Sequence, residues 1–135
     1  MKLNEFINER INTKVDFDGA YGAQCVDLFR QYCKDVFGFP HTGAVDGAKD
    51  LFLRYDSLPV EKKYFFRIPT VSPRVGDVVI YGGTATNKYG HVAICVGTVS
   101  DGNILVFEQD GFRQDGAKIN VRGTTNMLGV LRAKV

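Results

Sequence analysis

The sequence predicts an α+β fold in which N-terminal helices pack on a C-terminal antiparallel β-sheet. Three observations predict it. Apolar residues recur at helical spacing in several segments between Leu3 and Tyr55, the pattern changes from Pro73 onward to short strand-like runs bounded by turn residues, and the two kinds of segment follow one another instead of interleaving. At 135 residues the chain reads as one domain, 1–135, large enough to bury a core without staples. The 44% hydrophobic and 24% charged content is ordinary for a globular protein, and a net charge of +2 with no Lys/Arg run gives no nucleic-acid footprint.

The elements follow in order. Leu3, Phe6, Ile7 and Ile11 form one helical face, so a short helix spans residues 3–11. Residues 12–24 form a polar, Gly-rich loop. Cys25 to Phe37 carries Val26, Phe29, Cys33 and Val36 on one stripe, and Gly38 and Pro40 end that helix. A third helix is expected over 44–55, from Ala44, Ala48, Leu51 and Phe52. Residues 57–72 read as irregular, with Pro59 and Pro69 flanking Tyr64-Phe65-Phe66, an aromatic trio that either packs in the core or lines a groove. Strands are expected over 77–81, 91–99, 103–109, 119–121 and 128–134.

The chemistry concentrates in Asp16-Phe17-Asp18-Gly19-Ala20-Tyr21-Gly22-Ala23-Gln24-Cys25-Val26-Asp27. Asp16 and Asp18 alternate before a glycine, the pattern of a solvated turn or of a loop that gathers oxygens around a hard cation. Cys25 opens a helix, where the positive end of the dipole favours a thiolate. Asp27, two residues on, lies about 200° round the helix and so faces back toward the loop.

Three cysteines, an odd number, argue against a disulfide framework. Cys25 and Cys33 are separated by about 12 Å of helical rise, beyond disulfide reach. Cys33 and Cys95 stand among apolar residues and read as small core side chains. Of the two histidines, His41 reads as a solvated loop residue. His91 heads a strand and shares a face with Ala93 and Cys95, a small-residue face suited to close packing under a helix. Glu108 ends the next strand after Ile104 and Val106. A carboxylate there needs a partner, and His91 would satisfy it. The pairing suits triad chemistry: thiol, imidazole, orienting acid.

Gly22-Ala23-Gln24-Cys25-Val26-Asp27, Gly90-His91-Val92-Ala93 and Phe107-Glu108-Gln109-Asp110 together resemble the CHAP family, the cysteine, histidine-dependent amidohydrolases and peptidases of phage endolysins and bacterial autolysins. The resemblance runs from about Val15 to Asp110. It implies a papain-like fold and a peptidoglycan hydrolase in which Cys25 attacks an amide, His91 is acid and base, and Glu108 orients the imidazole. Asp110 stands where many members have Asn, and it either joins the site or begins a turn. Gln24 either assists the oxyanion or holds the loop.

The resemblance also implies calcium (Ca2+), bound by the carboxylates of Asp16, Asp18 and Asp27 and the main-chain carbonyls of Ala20 and Gly22; an all-oxygen set disfavours zinc. The bond would be the muramoyl–L-alanine amide or a peptide bond of the stem or cross-bridge. The implied partner is bacterial peptidoglycan, with no nucleic acid, no membrane insertion and a monomeric state. No secretory h-region follows Met1 and no wall-binding domain is expected in the chain, so the protein would be made in the cytoplasm and reach the wall by release or on a virion. Two other classes fit more loosely: a calcium-dependent wall-binding module without turnover, and a papain-like protease acting on proteins.

Overall fold

Six antiparallel strands form the frame of the structure, in the spatial order Phe65–Ile68 (β1), Met127–Ala133 (β6), Val78–Tyr81 (β2), His91–Thr98 (β3), Ile104–Glu108 (β4) and Lys118–Arg122 (β5). This computed structural model describes residues 1–40 and 42–135, so the expectation for His41 lies outside the described residues. Helix α1 (Leu3–Arg10) and helix α2 (Cys25–Tyr32) come first. Helix α3 (Asp50–Leu53), helix α4 (Pro59–Tyr64) and β1 (Phe65–Ile68) follow. The remaining strands are β2 (Val78–Tyr81), β3 (His91–Thr98), β4 (Ile104–Glu108), β5 (Lys118–Arg122) and β6 (Met127–Ala133).

The core lies between α2 and one face of the sheet. Leu28, Phe29 and Tyr32 of α2 pack with Val78, Ile80, Val92, Ile94, Phe107 and Leu131. A smaller cluster on the opposite face joins Val79, Ala93, Cys95, Val106 and Val130. Cys33 and Cys95 are both buried and unbridged, as their apolar settings require, and burial pushes both thiols up. Past Tyr32 the helix continues as a π-helical turn, Cys33–Phe37, and stops at Gly38 in the left-handed conformation (φ 68°).

Three expectations need correction. The helix expected over 44–55 is only Asp50–Leu53 plus a 3₁₀ turn at Tyr55–Ser57. Asp46-Gly47 bends the chain instead, and the Lys49 N–H donates 3.0 Å to the Tyr89 carbonyl across the fold. The irregular stretch 57–72 contains α4 and β1. Proline at the first helical position favours the helix start, and strand β1 closes the sheet by pairing Phe65 with Ala133. Finally, α2 packs on the Val92–Ile94 face of β3, and the His91–Ala93–Cys95 face belongs to the smaller cluster. His91 reaches the helix start because it stands at the very end of its strand.

The aromatic trio divides by alternation. Phe65 is fully buried against Phe29, Phe37 and Phe39, whereas Phe66 is 53% exposed on the other side of β1. Phe65→Ala should therefore cost about 3–5 kcal/mol, and Phe66→Ala should stay within about 0.5 kcal/mol. Urea unfolding of the two variants measures the difference.

Candidate functional site

The loop that precedes α2 is held by two glutamine side chains. Val15 N–H donates to Gln109 Oε1 at 2.7 Å, and Gln109 Nε2 donates to the carbonyls of Val15 at 2.7 Å and Gln24 at 2.8 Å. Ala23 N–H donates to Gln114 Oε1 at 3.0 Å, while Gln114 Nε2 donates to the carbonyls of Ala23 at 3.0 Å and Gly111 at 2.7 Å. A glutamine amide offers the same donor and acceptor as a peptide group, so each side chain acts as an extra rung. Gly22 is required beside Gln114. It turns with φ 75°, and a Cβ there would lie 2.8 Å from Gln114 Oε1.

This anchored loop delivers Cys25 to the first turn of α2, next to His91 at the start of β3. At the helix start Asp27 Oδ2 accepts the Gln24 N–H at 2.9 Å, while the Asp27 N–H donates to the Gln24 carbonyl at 3.1 Å. The Gln24 side chain donates to the Tyr21 carbonyl, a contact within the loop. Gly90 before His91 leaves no room for a side chain, since a Cβ would meet the Tyr81 carbonyl at 2.4 Å. Close passage of that backbone sets where the imidazole emerges.

Behind His91 lies Glu108, almost fully buried. His91 Nε2 and Glu108 Oε1 are 2.7 Å apart. Strand β5 completes the carboxylate's partners: Asn120 Nδ2 donates to Oε2 at 2.8 Å, and Arg122 Nε donates to Oε1. Burial alone would push the Glu108 carboxyl up; hydrogen bonds and charges from His91 and Arg122 outweigh it and hold it at about 2. Burial likewise pushes His91 down, yet hydrogen bonds and charge from Cys25 and Glu108 raise it to about 9.

Asp110 takes a different position. Its Oδ1 accepts the N–H groups of Phe112 at 2.8 Å and Arg113 at 3.4 Å, the pattern of a turn-initiating aspartate. It lines the same cleft as Cys25 and His91, a hollow of about 550 Å³. Three exposed rings, Tyr21, Tyr89 and Phe112, also border that cleft.

Asp16, Asp18 and Asp27 converge as a group, each with a carboxylate oxygen within 4.8 Å of the others. Burial first, and then the charges of Asp18 and Asp16, push the Asp27 carboxyl up, against the Gln24 hydrogen bond and Arg30. Arg30 reaches only 4.0 Å from Asp18. Ala20 and Gly22 sit in the same loop; the Ala20 N–H is turned onto Asp18 Oδ1 at 2.9 Å.

Sequence reasoning brought Cys25, His91 and Glu108 together and grouped the three aspartates. It missed Gln109, Gln114, Asn120 and Arg122. Gln109 was findable, because alternation puts it on the face opposite Glu108 at the same strand end. Asn120 and Arg122 required the β4–β5 register, which pairs Val106 with Asn120 and Ile104 with Arg122.

A helix-borne thiol, a strand-borne imidazole and a buried acid behind it define a cysteine–histidine site on a papain-like α+β fold. A family model described as the CHAP domain matches residues 14–110, and the chain belongs to that family. Endolysin PlyTW of Staphylococcus phage Twort (strain DSM 17442 / HER 48) is 33% identical over 100 residues, which is 69% of this chain and 19% of that protein. Among solved structures, the wild-type endolysin LysIME-EF1 is 26% identical with a TM-score of 0.68, covering 98% of this chain and 64% of that one. Ly7917 shares the fold at 18% identity and a TM-score of 0.72, over 98% of this chain and 62% of its own. The chain thus spans about a fifth of the curated relative and under two thirds of these solved chains.

The two shifted groups give stability a defined pH window. Glu108, depressed from 4.5 to about 2, contributes stability that is present above pH 4.5 and lost as pH falls through about 2. His91, raised from 6.5 to about 9, contributes stability that is complete below pH 6.5 and lost as pH rises through about 9. His91→Gln should therefore remove the decline between pH 6.5 and 9, read as the difference between wild-type and variant unfolding curves at each pH.

Proposed function

We propose that this chain is a cysteine-dependent amide hydrolase acting on bacterial peptidoglycan. The observation that carries the reading is the imidazole of His91 held between Cys25 and a buried, ionised Glu108. Kinship with the CHAP family and with a named phage endolysin supports the substrate class. The described residues contain no helix long and apolar enough to cross a membrane. The protein would act on the wall outside the cytoplasm, as a monomer.

A carboxylate only accepts, so His91 Nε2 carries a proton toward Glu108 and Nδ1 is left to take the Cys25 proton. The Cys25 sulfur then attacks the amide carbonyl. The backbone N–H of Cys25, free of an intrahelical partner at the helix start, faces the developing oxyanion. The imidazolium gives its proton to the leaving nitrogen as the C–N bond breaks, and a thioester remains. Water loses a proton to His91 and attacks the thioester; the C–S bond breaks, releasing a carboxylic acid and the thiol. Glu108 positions the ring and stabilises its charged form. Asp110 serves the turn beside the cleft.

Cys25→Ala should abolish amine release from purified walls with folding intact. Glu108→Gln should lower turnover by about 100-fold or more, and Asp110→Asn by far less. Comparable wall clearing by Cys25→Ala would refute the mechanism. Mass spectrometry of the released muropeptides distinguishes the muramoyl–L-alanine amide from stem or cross-bridge bonds. Cleavage of casein but not walls would make the protein a papain-like protease instead.

Calcium fits the aspartate cluster, because three mutually repelling carboxylates with oxygen-only donors suit a hard cation. Asp16, Asp18 and Asp27 would hold it, with the carbonyls of Ala20 and Gly22. Bound there, it would neutralise the cluster and fix the loop that leads to Cys25. Saturation at a hundredfold excess over Kd would add about 2.7 kcal/mol of stability. Calcium should raise the melting temperature, EDTA should reverse it, and Asp18→Ala should abolish the response. Calorimetry without heat of binding at millimolar calcium would exclude the site.

A further inference from the structure

The carboxylate behind His91 is held by two residues of an edge strand as well as by the imidazole. Arg122 donates through Nε to Glu108 Oε1, the same oxygen that His91 Nε2 contacts at 2.7 Å. Asn120 occupies Oε2. The Arg122 guanidinium also lies 5.7 Å from the centre of the Tyr81 ring, and that ring is 6.3 Å from the His91 ring. Tyr81 is fixed in turn by its hydroxyl, which donates 2.9 Å to the Gly123 carbonyl one residue past β5. Arg122 is thereby confined between an aromatic face and a buried carboxylate, although 39% of its side chain is exposed.

We propose that Arg122 is a positioning residue for His91, acting through Glu108; this rests on His91 being the acid–base group of the proposed reaction. Two effects follow from the geometry. First, donors on both oxygens stop the carboxylate from rotating, so Oε1 stays aimed at Nε2 and the opposite nitrogen stays aimed at Cys25. Second, Arg122 shares Oε1 with the imidazole and places a fixed positive charge nearby. It limits how strongly Glu108 stabilises imidazolium, and so keeps the ring able to release its proton to the leaving amine. The charged and titratable groups around the pair are Cys25 from α2, Tyr81 from β2, Arg122 from β5, and Lys118, in register opposite Glu108. Asp110, two residues on, is turned to the amides of Phe112 and Arg113.

The test uses Arg122→Gln and Arg122→Lys. In wall digestion, Arg122→Gln should lower kcat by about tenfold with KM within about twofold, and Arg122→Lys should recover most of the loss. Independently of turnover, the His91 ring is titrated by NMR in Cys25→Ala and in Cys25→Ala with Arg122→Gln. The second protein should show a midpoint higher by about half a unit or more. An unmoved midpoint overturns the proposal, whether or not kcat falls. Should no variant, wild type included, digest walls, the function reading fails while the NMR comparison still decides the role of Arg122.

Discussion

The end of strand β4 is the constraint on which the site depends. Successive strand residues point to opposite faces, and here each face holds one half of the chemistry. Glu108 reaches one way, to the imidazole; Gln109 reaches the other, to the backbone at Val15 and Gln24 just before the thiol. The relative placement of Cys25 and His91 is thus set over a single peptide unit. A one-residue slip of β4 would exchange the two side chains and lose both. The five rungs between β4 and β5, from Ile104–Arg122 to Glu108–Lys118, resist that slip.

Both side chains are buried, which makes their hydrogen bonds obligatory. An amide left unpaired inside costs about 1–3 kcal/mol, and a buried ion stripped of its partner about 3–5 kcal/mol. Gln109 satisfies this with three backbone bonds and Glu108 with three side-chain donors. The contrast is with Asp110, which is more exposed and bonds to the N–H groups of its own turn. Its position at the cleft edge comes from the turn.

Local patterns carried much of this structure. The strands beginning at His91 and Ile104 are short apolar runs bounded by turn residues, and each ends within about one residue of where its run stops. The thiol at a helix start and the aspartate two residues on were also readable, because capping and helix geometry act over a few residues. Beyond the grouping of Cys25, His91 and Glu108, local pattern did not show which distant segments meet. Residues 44–49 have helical composition, yet Lys49 bonds to the Tyr89 carbonyl. Tyr64-Phe65-Phe66 looks irregular between prolines, yet pairing with β6 makes Phe65 and Phe66 a strand. The face of β3 toward α2 was misread because small residues suggested close packing, whereas Val92 and Ile94 fill that space. Asn120 and Arg122 join the site only through cross-strand register.

The glutamine rungs have a consequence for motion. Gln109 and Gln114 each bond to both polar groups of one loop residue, Val15 and Ala23, and each reaches a second carbonyl as well. Gln109 is 1% exposed, so freeing one of its backbone partners strands a buried amide, whereas the Gln114 bonds are part-buried. The two ends of the loop, Val15 and Ala23–Gln24, are thus both tied to the stretch from Gln109 to Gln114 that follows β4. Loosening either end of the approach to Cys25 therefore breaks several bonds to one glutamine at once, and the thiol follows a backbone pinned at both ends of its loop.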